Sequence, residues 1–89
     1  MLTKVTRLEP LGGFRLRVHF NDGSRGEHDF TTLVQGSGEV VEPLRDAAYF
    51  ARVFLEEGAP TWPNGFDMAP EWLRREMAAA GELRKDAAE

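Results

Sequence analysis

From Phe14 to Phe20 the chain alternates without a break. Phe14, Leu16, Val18 and Phe20 fall on one side, and Arg15, Arg17 and His19 on the other. Successive side chains of a strand point to opposite faces, so this is a strand with one face in a core and one in water. Asn21-Asp22-Gly23 follows at once, and such a sequence supplies the positive-φ positions a hairpin turn needs. The segment commits the chain to an antiparallel sheet covered on one side.

Loop length sets the register. A two-residue turn at Asp22-Gly23 places Val18 opposite Glu27 and Leu16 opposite Asp29, apolar against acidic. A three-residue loop, with Gly23 left-handed, places Arg17 opposite Glu27, Arg15 opposite Asp29 and Phe14 opposite Phe30. Cross-strand partners share a face, so charge pairing selects the second register. His28 then lies on the apolar side and His19 on the polar side.

The remaining elements follow from local signals. A strand over residues 3–8 precedes the hairpin, ended by Pro10 and Gly12-Gly13. Thr31 to Val34 reads as one helical turn capped by Thr31, Gly36-Ser37-Gly38 as a loop, and Glu39 to Glu42 as a short extended piece. Asp46 caps a short helix from Ala47 to Ala51 that buries Phe50 and Tyr49. Val53-Phe54-Leu55 and Pro60-Thr61-Trp62 read as strands around Glu57-Gly58, with Pro60 confined to a sheet edge. Pro70 opens a final helix that turns Leu73, Met77 and Ala80 to the sheet and ends before Gly81.

The expected fold is α+β: a small antiparallel sheet with an N-terminal hairpin, short helices and a C-terminal helix packed on the sheet. Residues 1–81 form the single domain and 82–89 a frayed tail. The core is Phe14, Leu16, Val18, Phe20, Phe30, Leu44, Phe50, Leu73 and Met77.

Charge and cysteine content narrow the function classes. Eleven basic and fifteen acidic residues give a net charge of −4, which opposes an overall electrostatic grip on nucleic acid or anionic lipid. No cysteine is present, so disulfides, thiolate catalysis and Cys-based zinc sites are excluded, and a cytoplasmic location is expected. No segment has the apolar length of a signal peptide or a membrane span.

No catalytic constellation emerges, and the chain is read as a non-enzyme with no cofactor and no metal. His19 and His28 face opposite sides of the sheet and cannot share a metal. Glu56 and Glu57 are strand neighbours and point apart. Ser24 and Ser37 have no positioned base, and the glycine-rich stretches lack phosphate-loop spacing. Arg15, Arg17 and His19 form a basic stripe that would suit phosphates, though pairing with Glu27 and Asp29 explains it better.

Trp62-Pro63-Asn64-Gly65-Phe66-Asp67 is the most unusual segment. It is either a partner-docking loop presenting Trp62, Asn64 and Asp67, or a lid that tucks Trp62 under the last helix. The lid is preferred, with Asp67 accepting backbone amides just ahead of that helix. Trp72 flanks the inward face of the last helix and is the stronger candidate anchor for an interface.

The order of three stretches resembles the family called domain of unknown function 2442 (DUF2442). They are Phe14-Arg15-Leu16-Arg17-Val18-His19-Phe20-Asn21-Asp22-Gly23, then Pro43-Leu44-Arg45-Asp46 through Tyr49-Phe50, then Trp62-Pro63-Asn64-Gly65-Phe66-Asp67 with Pro70-Glu71-Trp72-Leu73. The resemblance implies a small bacterial α+β protein and transfers no catalytic residues. It also implies a gene neighbour encoding a second small protein, in a pair for which a toxin–antitoxin role has been suggested. Some relatives carry an added helix-turn-helix domain, which is not expected here.

The leading expectation is a non-catalytic protein-interaction module, the acidic partner of such a pair. A nucleic-acid-associated regulator using Arg15, Arg17 and His19 is the runner-up, and a small-ligand binder or enzyme comes third. A homodimer is expected in isolation, with a partner protein competing for the same surface. No membrane association is expected, and nucleic acid is disfavoured as a partner.

Overall fold

In a computed structural model of the chain, which describes residues 2–85, the alternating segment is strand β2 (Arg15–Phe20), paired with β3 (Ser24–Asp29). The register is the one charge pairing selects: Arg15 lies opposite Asp29, Leu16 opposite His28 and Arg17 opposite Glu27. Gly23 adopts φ 87° and donates its N–H to the Phe20 carbonyl at 3.1 Å, closing the three-residue loop. Leu16, Val18 and Phe20 are buried, and the odd-numbered residues of β2 face outward.

The preceding strand, β1 (Val5–Gly12), is longer than expected and runs through Pro10. Register shifts between Val5 and Arg7 and between Pro10 and Gly12 explain both facts. Each shift flips the in–out alternation, which blurs the sequence pattern, and an edge strand with bulges tolerates proline.

The sheet order is β1-β2-β3-β6, where β6 (Arg84–Lys85) pairs antiparallel with Ser24 and Arg25. The expectation of a frayed tail from residue 82 therefore fails at Arg84 and Lys85; residues 86–89 lie outside the described ones. The return is built by helix α3 (Pro70–Ala79) and its end. Gly81, at φ 72°, donates to Ala78 and Glu82 donates to Met77 at 2.9 Å, the paired bonds of a Schellman ending. Leu73 and Met77 face the sheet and are fully buried, whereas Ala80 is the exposed C-cap rather than a third inward residue.

A second sheet pairs β4 (Phe54–Glu56) with β5 (Ala59–Thr61). Glu57 (φ 52°) and Gly58 (φ 82°) both occupy the left-handed region, as a tight hairpin turn requires. The Gly58 carbonyl accepts from Val5 N–H at 2.8 Å and ties this hairpin to β1.

Helix α1 (Thr31–Val34) is held by Asp29 rather than capped by Thr31: one Asp29 oxygen accepts from Thr31 N at 2.9 Å and from its hydroxyl at 2.5 Å. Glu39 to Glu42 does not extend; residues 38–42 turn into a 3-10 helix over Glu42–Arg45. Asp46 caps α2 (Ala47–Phe50) through the Ala48 N–H, as expected. Asp67 does not cap α3, whose N-cap is Ala69 with no side-chain cap bond.

Around these elements the aromatic rings form one run. Phe14 meets Phe50 at 5.5 Å, Phe30 meets Phe50 at 5.8 Å, Phe50 meets Trp62 at 5.4 Å, and Trp62 meets Phe66 at 5.7 Å. Every expected core residue is buried except Phe14, which is half-buried, and Val5, Val34, Trp62 and Met68 complete the core.

Two substitutions test this arrangement by chemical denaturation. Phe50→Ala removes the ring at the junction of the aromatic run and should cost ~3–5 kcal/mol, a large share of a small domain's stability. An unfolding midpoint near wild type would refute its central place. Gly26→Ala should destabilise by ~1–3 kcal/mol, typical of overpacking. A Cβ there would lie 2.3 Å from the Glu82 carbonyl oxygen, a backbone atom that cannot swing aside.

Candidate functional site

Three strands bring charged side chains together on the outer face of the large sheet. Arg15 and Arg17 both donate to Glu27, at 2.8 and 2.9 Å. Arg17 also lies 3.6 Å from Glu9, and His19 Nε2 lies 2.7 Å from Glu9. Arg15 thus faces Asp29 in register but bonds Glu27, because Asp29 is engaged by Thr31. The His19 contact chiefly holds the Glu9 carboxyl below its ordinary pKa, and the Arg17 hydrogen bond does the same for Glu27. Such exposed pairs are screened by solvent and contribute little to stability. The stripe of Arg15, Arg17 and His19 is therefore matched by acids from β1 and β3.

His28 lies on the opposite face, as expected. Its ring sits edge-on to Phe30 at 4.7 Å, and its Nδ1 lies 2.7 Å from Glu82 Oε1. This contact fastens the segment after α3 to β3. Among the described residues no group of three or more His, Cys, Asp or Glu side chains is placed to hold a metal ion.

The segment from Trp62 to Asp67 is a lid. Trp62 has no exposed surface and donates its indole N–H to the Phe50 carbonyl at 2.9 Å. Asn64 shapes the turn: its carbonyl oxygen accepts from Phe66 N, and its amide donates to Val40 O at 2.9 Å. Asp67 is exposed, and its backbone bridges Thr61. Of the four residues considered for partner binding, the fold withdraws Trp62 from the surface and occupies the Asn64 amide internally.

Trp72 stands apart. It is 41% exposed on the flank of α3. Beside it lies a groove of about 330 Å3 between Trp72, Glu76 and the chain from His28 to Leu33. Its lining includes the acidic residues Asp29 and Glu76 and no lysine or arginine. A larger groove of about 590 Å3 lies across β3, lined by Arg17, Arg25 and Arg84 with Glu27 and Glu82. Trp72 was legible from helical spacing. Asp29 and Glu76 were not, because they come from separate elements and neither stands in a motif.

A family model described as protein of unknown function (DUF2442) matches residues 5–78. Neither a curated protein nor a solved structure matches the chain. No helix among the described residues is long and apolar enough to cross a membrane.

Acid sensitivity should concentrate at Asp22, in the hairpin loop. One of its oxygens accepts from the Ser24 hydroxyl at 2.6 Å and the Ser24 N–H at 2.9 Å, and the other meets Arg74 of α3 at 2.7 Å. The Ser24 hydroxyl above all, then the Ser24 N–H and Arg74, hold the Asp22 carboxyl far below its ordinary value. A carboxyl lowered on folding contributes stability that is complete above its unfolded pKa, about 3.9, and is lost as pH falls further. Asp22→Asn should therefore flatten the decline in stability below about pH 4, read from denaturation curves across acid pH. An unaltered slope would assign that decline to other carboxylates.

Proposed function

The chain belongs to the DUF2442 family of proteins of unknown function, and we propose that it is a non-catalytic protein-interaction module, the acidic member of a two-protein pair that binds and restrains its companion. The observation that carries this reading is Trp72, a large ring left 41% exposed beside an acid-lined groove. Tryptophan anchors of this kind dominate the energy of protein interfaces. The net charge of −4 favours a basic companion and speeds its approach.

A second reading has its own support. The outer sheet face carries Arg7, Arg15, Arg17, Arg25 and Arg84 against Glu9, Glu27 and Asp29. This local excess of positive charge suits a phosphate backbone, and binding of DNA or RNA that weakens steeply with salt would favour it.

The interaction reading is tested with the product of the adjacent gene. The two proteins should co-purify, and calorimetry should show Trp72→Ala weakening the complex by ~2 kcal/mol or more. The variant itself should stay folded, since Trp72 lies outside the buried core. Equal affinity of variant and wild type would remove Trp72 from the interface, and absence of a complex would remove the reading.

A further inference from the structure

The outer edge of β3 is only half paired. β6 covers Ser24 and Arg25 and goes no further, while β2 follows the inner edge as far as Asp29. Phe30 N–H donates inward to the Phe14 carbonyl. Alternate residues of an antiparallel strand turn to opposite neighbours, so Glu27 and Asp29 turn their N–H and C=O groups outward. Among the described residues neither has a backbone partner on that side. Gly26 is not part of the opening, because the Glu82 carbonyl is packed against it. The unpaired stretch is Glu27 to Asp29, and the acid-lined groove beside Trp72 runs along it.

We propose that this edge accepts an extended segment of a partner protein as an added strand, with an arginine or lysine of that segment lying on the Trp72 ring and paired with Glu76. The proposal rests on the interaction-module reading and names what the module grips. An added strand takes its register from the four outward backbone groups of Glu27 and Asp29. Its residue opposite His28 shares the His28 face, the side on which α3 packs, so that side chain enters the groove alongside the Glu82 carboxylate held by His28. There it meets Trp72 and Glu76, one helical turn apart on α3, which offer an aromatic face and a carboxylate to a single cation. Glu76 has no ion pair among the described residues.

Charge also decides against a second copy of this chain as the occupant. Two β3 edges paired about a two-fold axis at His28 set Glu27 opposite Asp29 in both halves. An axis at Glu27 or Asp29 sets each against itself. Every such register opposes like charges on one face, which destabilises a pair of strands. Nor does β6 supply the missing strand, since it runs from Arg25 towards Ser24, away from the opening.

The test uses the full chain, labelled with 15N, and a blocked nine-residue peptide of alternating valine and threonine with one central arginine. Addition of this peptide should shift the Glu27 and Asp29 amides and the Trp72 indole signal, and should slow exchange of both amides about tenfold. A peptide N-methylated at the amides facing β3, a peptide with glutamate for arginine, and the Glu76→Gln protein should each bind about tenfold more weakly. No binding at millimolar peptide, or equal binding of the N-methylated peptide, overturns strand addition. A dimer in light scattering that protects the same two amides assigns the edge to a second copy and overturns it too. If the companion protein binds through Trp72 while the Glu27 and Asp29 amides keep exchanging freely, the interaction reading stands and the added strand falls. If neither companion nor peptide binds, both fall.

Discussion

The indole N–H of Trp62 reaches the Phe50 carbonyl at 2.9 Å, and the two rings lie 5.4 Å apart. Through this contact the last residue of α2 is fixed to the residue that follows the second hairpin. Phe50 in turn touches Phe14 and Phe30, which flank the first hairpin. A chain of 89 residues buries a limited fraction of its surface, so a few large rings must supply much of the apolar burial. They also join two sheets that share no ladder. The buried indole would be costly without its acceptor, so the hydrogen bond fixes which way Trp62 enters the core. Pro63 and Asn64 then turn the chain back over it, bonding Met68 N–H to the Pro60 carbonyl at 3.0 Å and starting α3 where Leu73 and Met77 can pack into the core.

Sequence was most informative where one physical rule acted alone. Strict alternation from Phe14 to Phe20, a glycine at the only left-handed place in the loop, and charges at matching offsets determine the first hairpin and its register. Asp46 and Pro70 mark their helices for similarly local reasons. Legibility fails where rules compete. The bulges of β1 scramble its alternation, and Pro10 looks like a terminator although an edge strand accommodates it. Asp29 serves α1 rather than Arg15 because Thr31 offers a hydroxyl and an amide two residues away, closer than any cross-strand guanidinium. β6 has only Arg84 and Lys85, too few residues to show a period, and its place comes from the Schellman turn and the Glu82–His28 contact.

The candidate site shows the same division. Trp72 could be placed on the flank of α3 because helical spacing directs Leu73 and Met77 inward. The burial of Trp62 was legible only as a preference, since an aromatic turn residue packs inward or outward according to what lies beneath it. The groove itself was illegible. It needs Glu76 from α3 and the stretch from His28 to Leu33 brought together by tertiary packing, with nothing in either segment pointing to the other.

Charge is unevenly divided over the molecule, and this links the fold to its use. The chain as a whole is acidic, yet the outer sheet face carries an excess of arginine over Glu9, Glu27 and Asp29. The surplus of carboxylates must therefore lie elsewhere: α3 balances Glu71 and Glu76 with Arg74 and Arg75, whereas Glu39, Glu42, Glu56 and Glu57 are exposed outside that sheet. A cationic partner and a polyanion would approach different sides of the same small domain. β3 separates them: its Arg25 and Glu27 face the arginine-rich surface, while His28 faces the helix that carries Trp72. Whatever pairs with the free part of that strand sits on the boundary between the two fields. Its side chain opposite His28 would meet Trp72 and Glu76 on one side, and those opposite Glu27 and Asp29 would meet these two acids beside the arginines of the outer face on the other. That alternation demands of a partner strand a cation at its inner position, where Trp72 and Glu76 stand, whereas its outer positions meet acids that Arg15, Arg17 and Thr31 already engage, a far narrower requirement than net charge alone imposes.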